Sequence, residues 1–114
     1  MQKITSITSD SKQRMSVTLE DNQGSVDFVL YYLPTQYSWY YDFTYNNYTS
    51  NGNKVVLTPN ALRHLRKILP FGFMFQAEGN IEPFQQTDFV SGRVSMYLLN
   101  SDDVLTIEDN IYGL

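Results

Sequence analysis

The side chains with reactive potential are few in this sequence, and their spacing does not assemble them. His64 is the single histidine and sits in RHLR, between Arg63 and Arg66. Flanking guanidiniums oppose the imidazolium that a general base becomes, and nothing around a serine resembles a nucleophile elbow. With no second histidine and no cysteine, a transition-metal site would rest on carboxylates alone, a poor donor set for zinc or copper. Among the twelve carboxylates, the candidates for such work are Asp42 and Glu78 in strand-like segments, and the pairs Asp102-Asp103 and Glu108-Asp109 in an acidic tail. Glycoside hydrolysis needs two carboxyls about 5–9.5 Å apart across a cleft, and no spacing here imposes that. NNYTSNGN has the asparagines of a calcium loop but not its charge, and no glycine-rich phosphate loop or dinucleotide fingerprint occurs. The expectation is a protein without catalytic residues, metal or cofactor.

The bulk composition narrows the remaining classes. A chain of 114 residues holds one domain with one modest core. Its net charge of −4 does not attract a phosphate backbone, and no Lys or Arg lies between Gln36 and Asn53, where most of the tyrosines cluster. Nucleic-acid binding on an aromatic face needs such interleaved cations. No cysteine is present, MQKITSITSDSKQ lacks an apolar signal core, and no apolar run approaches a bilayer span. Synthesis in the cytoplasm and no membrane insertion are expected. Only 18% of residues are charged, against an average of about 25%, while 15% are aromatic. Tyrosine is enriched where protein faces protein, because its ring is apolar and its hydroxyl still bonds.

The elements that would position any site are mostly strands. Residues 1–13 read as an N-terminal arm or edge strand, and 14–114 as a β-domain. RMSVTLE and SVDFVLYYL flank the turn DNQG as a hairpin, with Val26, Phe28, Leu30 and Tyr32 on one face. The second of these strands is apolar on its other face too, through Val29, Tyr31 and Leu33, which implies cover from both sides. After Leu33-Pro34 comes QYSWYYDFTYNN, then a polar loop with a tight turn at Asn51-Gly52 and a brief strand at Val55 to Leu57. Thr58 as N-cap and Pro59 at the first position predict an α-helix through Leu69, with Ala61, Leu62, Leu65, Ile68 and Leu69 inward. FGFMFQAEG and RVSMYLLN are further strands, and the tail is ambiguous between strand and helix. The sum is a mainly β domain: a single antiparallel β-barrel or β-sandwich with one short α-helix.

Two groups of residues are candidates for interaction. In QYSWYYDFTYNN the period of two puts Tyr37, Trp39, Tyr41, Phe43 and Tyr45 on a core-facing stripe, leaving Tyr40 and Asp42 outward beside Tyr31 of the preceding strand. Arg63, Arg66 and Lys67 place three of the eight Lys and Arg residues on one small face, complementary to an acidic surface such as the tail of another copy. A carbohydrate- or cell-wall-binding module is the alternative, with Trp39, Tyr41, Asp42 and Asn46 as a stacking platform.

Taken together, FVLYYLPTQYSWYYDFTYNN, LTPNALR and RVSMYLLN give this chain an order of elements that resembles the small baseplate plug proteins of tailed bacteriophages. The resemblance runs from about Arg14 to the C-terminus and is anchored around Trp39 and Tyr97. It implies a structural role in the virion: a β-domain at the central hub of the tail baseplate, present in symmetric copies, closing or capping the hub. The implied partners are other baseplate and tail-hub proteins and other copies of the chain. No catalytic residue is carried over.

Overall fold

The computed structural model describes residues 1–19, 22–66 and 68–111. Lys67 and part of the first hairpin turn lie outside these residues. Two antiparallel sheets face each other, and a helix covers the outside of one of them. The first sheet has four strands in the order β2 (Lys12–Thr18), β3 (Ser25–Leu33), β4 (Ser38–Tyr45) and β5 (Tyr48–Lys54). The second has three, with β1 (Gln2–Lys3) and β6 (Gly72–Ala77) on either side of β7 (Val94–Leu99). The arrangement is the sandwich, not the barrel: among the described residues the two sheets do not close on each other.

Alternation builds the core between the sheets. Val26, Phe28 and Leu30 of β3 and Trp39, Tyr41 and Phe43 of β4 are buried, and they share one core with Phe73, Phe75, Val94, Met96 and Leu98 of the second sheet and with Phe71 just before β6. The rings contact edge to face, as their quadrupoles prefer: Phe73 lies 5.7 Å from Tyr41 at 88° and 5.8 Å from Phe43 at 84°. Strand β6 is buried on both sides, because Met74, with Leu99 of β7, packs under Val104 of α1 (Ser101–Asn110). That helix is started by a capping box: the Asn100 side chain accepts from the Asp103 amide, and the Asp103 carboxylate accepts from the Asn100 amide. The acidic tail therefore resolves as the α-helix.

The α-helix expected over Pro59 to Leu69 does not form. Its backbone is claimed from outside: Thr58 bridges Phe75, the Ala61 amide donates to the Phe73 carbonyl at 2.7 Å, and buried Asn60 takes the Leu62 amide on Oδ1 at 3.0 Å. What remains is a single 3₁₀ turn, Arg63–Leu65, and Ile68 is exposed instead of core-facing. Gly72 completes this lock. A Cβ there would stand 2.3 Å from Asn60 Oδ1, so Gly72→Ala must displace a buried, bonded side chain. We expect it to cost about 1–3 kcal/mol, seen as a lower midpoint in thermal unfolding; an unchanged midpoint would show that Asn60 moves freely.

Two further expectations shift in register. The polar stretch Asn46 to Lys54 is not a loop but mostly β5, entered by a two-residue turn in which Asn46 adopts φ 52°. Asn51-Gly52 falls on a bulge in that strand, and Val55 to Leu57 carries no strand of its own. Tyr37 leaves the aromatic stripe altogether. It ends a 3₁₀ turn in the left-handed conformation, φ 50°, and is 70% exposed.

Candidate functional site

The open face of the four-stranded sheet is where the sequence and the geometry converge. The outward side chains are set by the same alternation that builds the core. Pairing along the ladders puts Lys12 opposite Tyr31, Tyr31 opposite Tyr40, and Tyr40 opposite Lys54. A single row thus crosses all four strands as Lys-Tyr-Tyr-Lys. The two tyrosine rings stack at 6.0 Å and 21°, and the next row begins with Arg14, Val29 and Asp42.

Asp42 is the organiser of this face. Its Oδ1 accepts from the Tyr31 hydroxyl at 3.1 Å and from the Gly52 amide at 2.7 Å. The β5 bulge, with Gly52 at φ 73°, is what brings that amide over the carboxylate. Partial burial, then the bond to Asp42, then the charges of Asp42 and the neighbouring Tyr40 hold the Tyr31 hydroxyl above its ordinary pKa of 10.0. The tyrosine stays a neutral donor. Beside it lies an open groove of about 320 Å³ lined by Ser11, Lys12, Tyr31, Tyr32, Leu33 and Asp42. The second apolar face of β3, expected to be covered, has no element over it among the described residues: Val29 and Tyr31 are half-buried and Leu33 is exposed. The structure thus brings Tyr31, Tyr40 and Asp42 together.

Arg63 and Arg66 sit elsewhere and are engaged within the chain. Both place Nε near Glu108 Oε1 of α1, at 3.1 and 3.2 Å, and Glu108 is buried. The acidic tail that complements them is their own.

The platform imagined for a sugar is absent, because Trp39 and Tyr41 are core residues. Trp39 is 0% exposed, its ring meets Phe89 edge-on at 5.3 Å, and its Nε1–H donates to the Gln85 carbonyl at 3.0 Å. Burial pushes the Tyr41 hydroxyl strongly up. We expect Trp39 fluorescence to be insensitive to added iodide in the native protein; quenching comparable to that of unfolded chain would contradict this placement.

A second cluster holds the loop that closes one end of the sandwich. Asp88, 2% exposed, accepts from the Phe84 and Gln85 amides at 2.7 and 2.8 Å and from Arg93 Nε and Nη2 at 2.9 and 2.7 Å. Arg93 also donates to the Ile81 and Glu82 carbonyls and covers the Phe84 ring at 5.0 Å. Burial alone would raise the Asp88 pKa, but the bonds from Arg93 and the two amides outweigh it and hold the carboxyl below 3.8. Asp88, in FQQTDFV, lies four residues after Phe84 and five before Arg93, a spacing that carries no signal until the loop is known. The cluster is structural, with its acceptors already filled.

No group of His, Cys, Asp and Glu among the described residues is arranged to hold a metal ion, and no helix is long and apolar enough to cross a membrane.

The family model described as cyanophage baseplate Pam3 plug gp18 matches residues 1–102. The match takes in residues 1–13, which the sequence resemblance had left out, and stops at the start of α1. That N-terminal stretch is joined to the fold by Gln2 and Lys3, which pair with Leu98 and Tyr97, and by the buried Ile4. No curated protein matches the chain.

Proposed function

Because the chain belongs to the cyanophage baseplate Pam3 plug gp18 family, we propose that it is a structural subunit of a phage tail baseplate that plugs or caps the central hub through protein–protein contacts. The observation that carries this reading is the match over residues 1–102, which takes in every strand of both sheets. The physical features agree with it. The sheet face built on Tyr31, Tyr40 and Asp42 is half-apolar and, among the described residues, uncovered and free of a reactive constellation, which suits a protein interface better than a substrate site. A loop clamped by Asp88 and Arg93 and a core of interlocking rings give a stiff body, and stiffness keeps low the ordering cost of assembly. The family also points to the virion as the place of action and to other baseplate proteins as partners; the presence of several copies around the hub is part of the proposal.

Mass spectrometry of purified virions tests this reading. Peptides of this chain should be recovered with the baseplate fraction after disassembly of the particles. Recovery from infected-cell lysate alone, with none in the virion, would contradict it.

A further inference from the structure

The open sheet face and helix α1 lie on opposite outsides of the molecule, because the layers run from the four-stranded sheet through the three-stranded sheet to α1. Each carries a pattern that the described residues leave without a partner. On the sheet it is the row Lys12, Tyr31, Tyr40, Lys54, two stacked rings between two ammonium groups. No carboxylate among the described residues forms an ion pair with either lysine. On the helix, Val104 and Glu108 face inward, so the outer surface presents Asp102, Leu105 and Asp109. Leu105 is 62% exposed, and neither Asp102 nor Asp109 has an ion-pair partner among the described residues.

We infer that the outer face of α1 of one copy docks on the Lys12-Tyr31-Tyr40-Lys54 row of a second copy, with Leu105 on the stacked tyrosines and Asp102 and Asp109 against the lysines. The dimensions allow it. Seven residues of helix separate the two aspartates by about 10 Å at 1.5 Å per residue. Three strand spacings separate the lysine backbones by about 14 Å, and flexible lysine stems take up the difference. The order apolar centre, charged rim is the same on both surfaces, with signs opposed. Two copies cannot satisfy both of their faces with each other, since the faces point apart. The contact is therefore heterologous and builds head to tail, closing as a ring if the rotation between copies permits. Leu105 and Asp109 lie beyond the residues that the family model matches. The inference deepens the reading of a subunit present in several copies and rests on it.

The test is a charge exchange on the full chain, read by sedimentation velocity. The unaltered protein should show a mass that rises with concentration beyond that of a dimer. Lys12→Glu with Lys54→Glu, and separately Asp102→Lys with Asp109→Lys, should each weaken association on the order of a hundredfold, because like charges then face each other. Mixing the two variants should restore it, since each then meets an opposite face. Thermal unfolding of each variant confirms that it folds, as expected of exposed positions. A monomeric unaltered chain at all concentrations, variants that associate as before, or a mixture that stays monomeric would overturn the contact. A monomeric chain recovered from baseplates would sink this contact and leave the plug reading standing; an associating chain absent from virions would do the reverse.

Discussion

Asp88→Ala is expected to lower the unfolding free energy by about 3–5 kcal/mol, the loss that follows when one partner of a buried ion pair is removed. Three groups lose their acceptor at once: the amides of Phe84 and Gln85 and the guanidinium of Arg93. Arg93 then has only the Ile81 and Glu82 carbonyls to hold it. For a domain of this size, with a total of roughly 5–15 kcal/mol, that is a large share. Asp88→Asn should cost less, since it keeps one acceptor oxygen. Urea unfolding checks both, and a loss below about 1 kcal/mol for Asp88→Ala would contradict the clamp. The same carboxylate gives a pH signature. Its folded pKa lies below its unfolded value of 3.8, so its contribution is complete above that value and is lost as pH falls through the lowered folded one. The unaltered protein should therefore lose stability in strong acid, and Asp88→Ala should show a shallower loss over that window.

Trp39→Ala is the second large effect, at about 3–5 kcal/mol for truncating a fully buried aromatic. The indole ring fills the space between Tyr32, at 5.5 Å, and Phe89, at 5.3 Å, and its N–H reaches the Gln85 carbonyl. Trp39→Phe separates these contributions. It keeps most of the ring contact and loses the hydrogen bond, so we expect about 1–2 kcal/mol. Trp39 and Asp88 hold the same loop from two sides, Trp39 through the Gln85 carbonyl and Asp88 through the Gln85 amide. Their effects should accordingly be less than additive in the double variant, because a loop already released by one change has less to lose by the other.

What the sequence made legible were the strands whose alternation is enforced by a one-sided core. That Val26, Phe28 and Leu30 share one face of their strand, and Trp39, Tyr41 and Phe43 one face of theirs, follows from a period of two; which strands lie opposite does not. The outward placement of Tyr31, Tyr40 and Asp42 is the other half of the same rule. Where the reading failed, long-range contacts had overridden local preference. Thr58-Pro59 is a good helix start taken alone, but Asn60, Phe73 and Phe75 claim the backbone that the helix would have used. Asn51-Gly52 is a good turn taken alone, but Asp42 across the ladder holds the Gly52 amide and makes it a bulge. Helix α1 is the opposite case, because the capping box of Asn100 and Asp103 was written locally and passed over in an acidic tail. The pairing of Arg63 and Arg66 with Glu108 joins residues more than forty positions apart, and no periodicity reports that.

We propose a place as well as a fold, with this two-sheet body on the central axis of a baseplate hub. Cryo-electron microscopy of isolated baseplates tests it most directly, with the ring-packed core of Trp39, Tyr41, Phe43 and Phe73 as the landmark for fitting. The expected result is density on the central axis into which both sheets and α1 fit as one body. Axial density filled by a different chain, with this one at the periphery or missing, would contradict it.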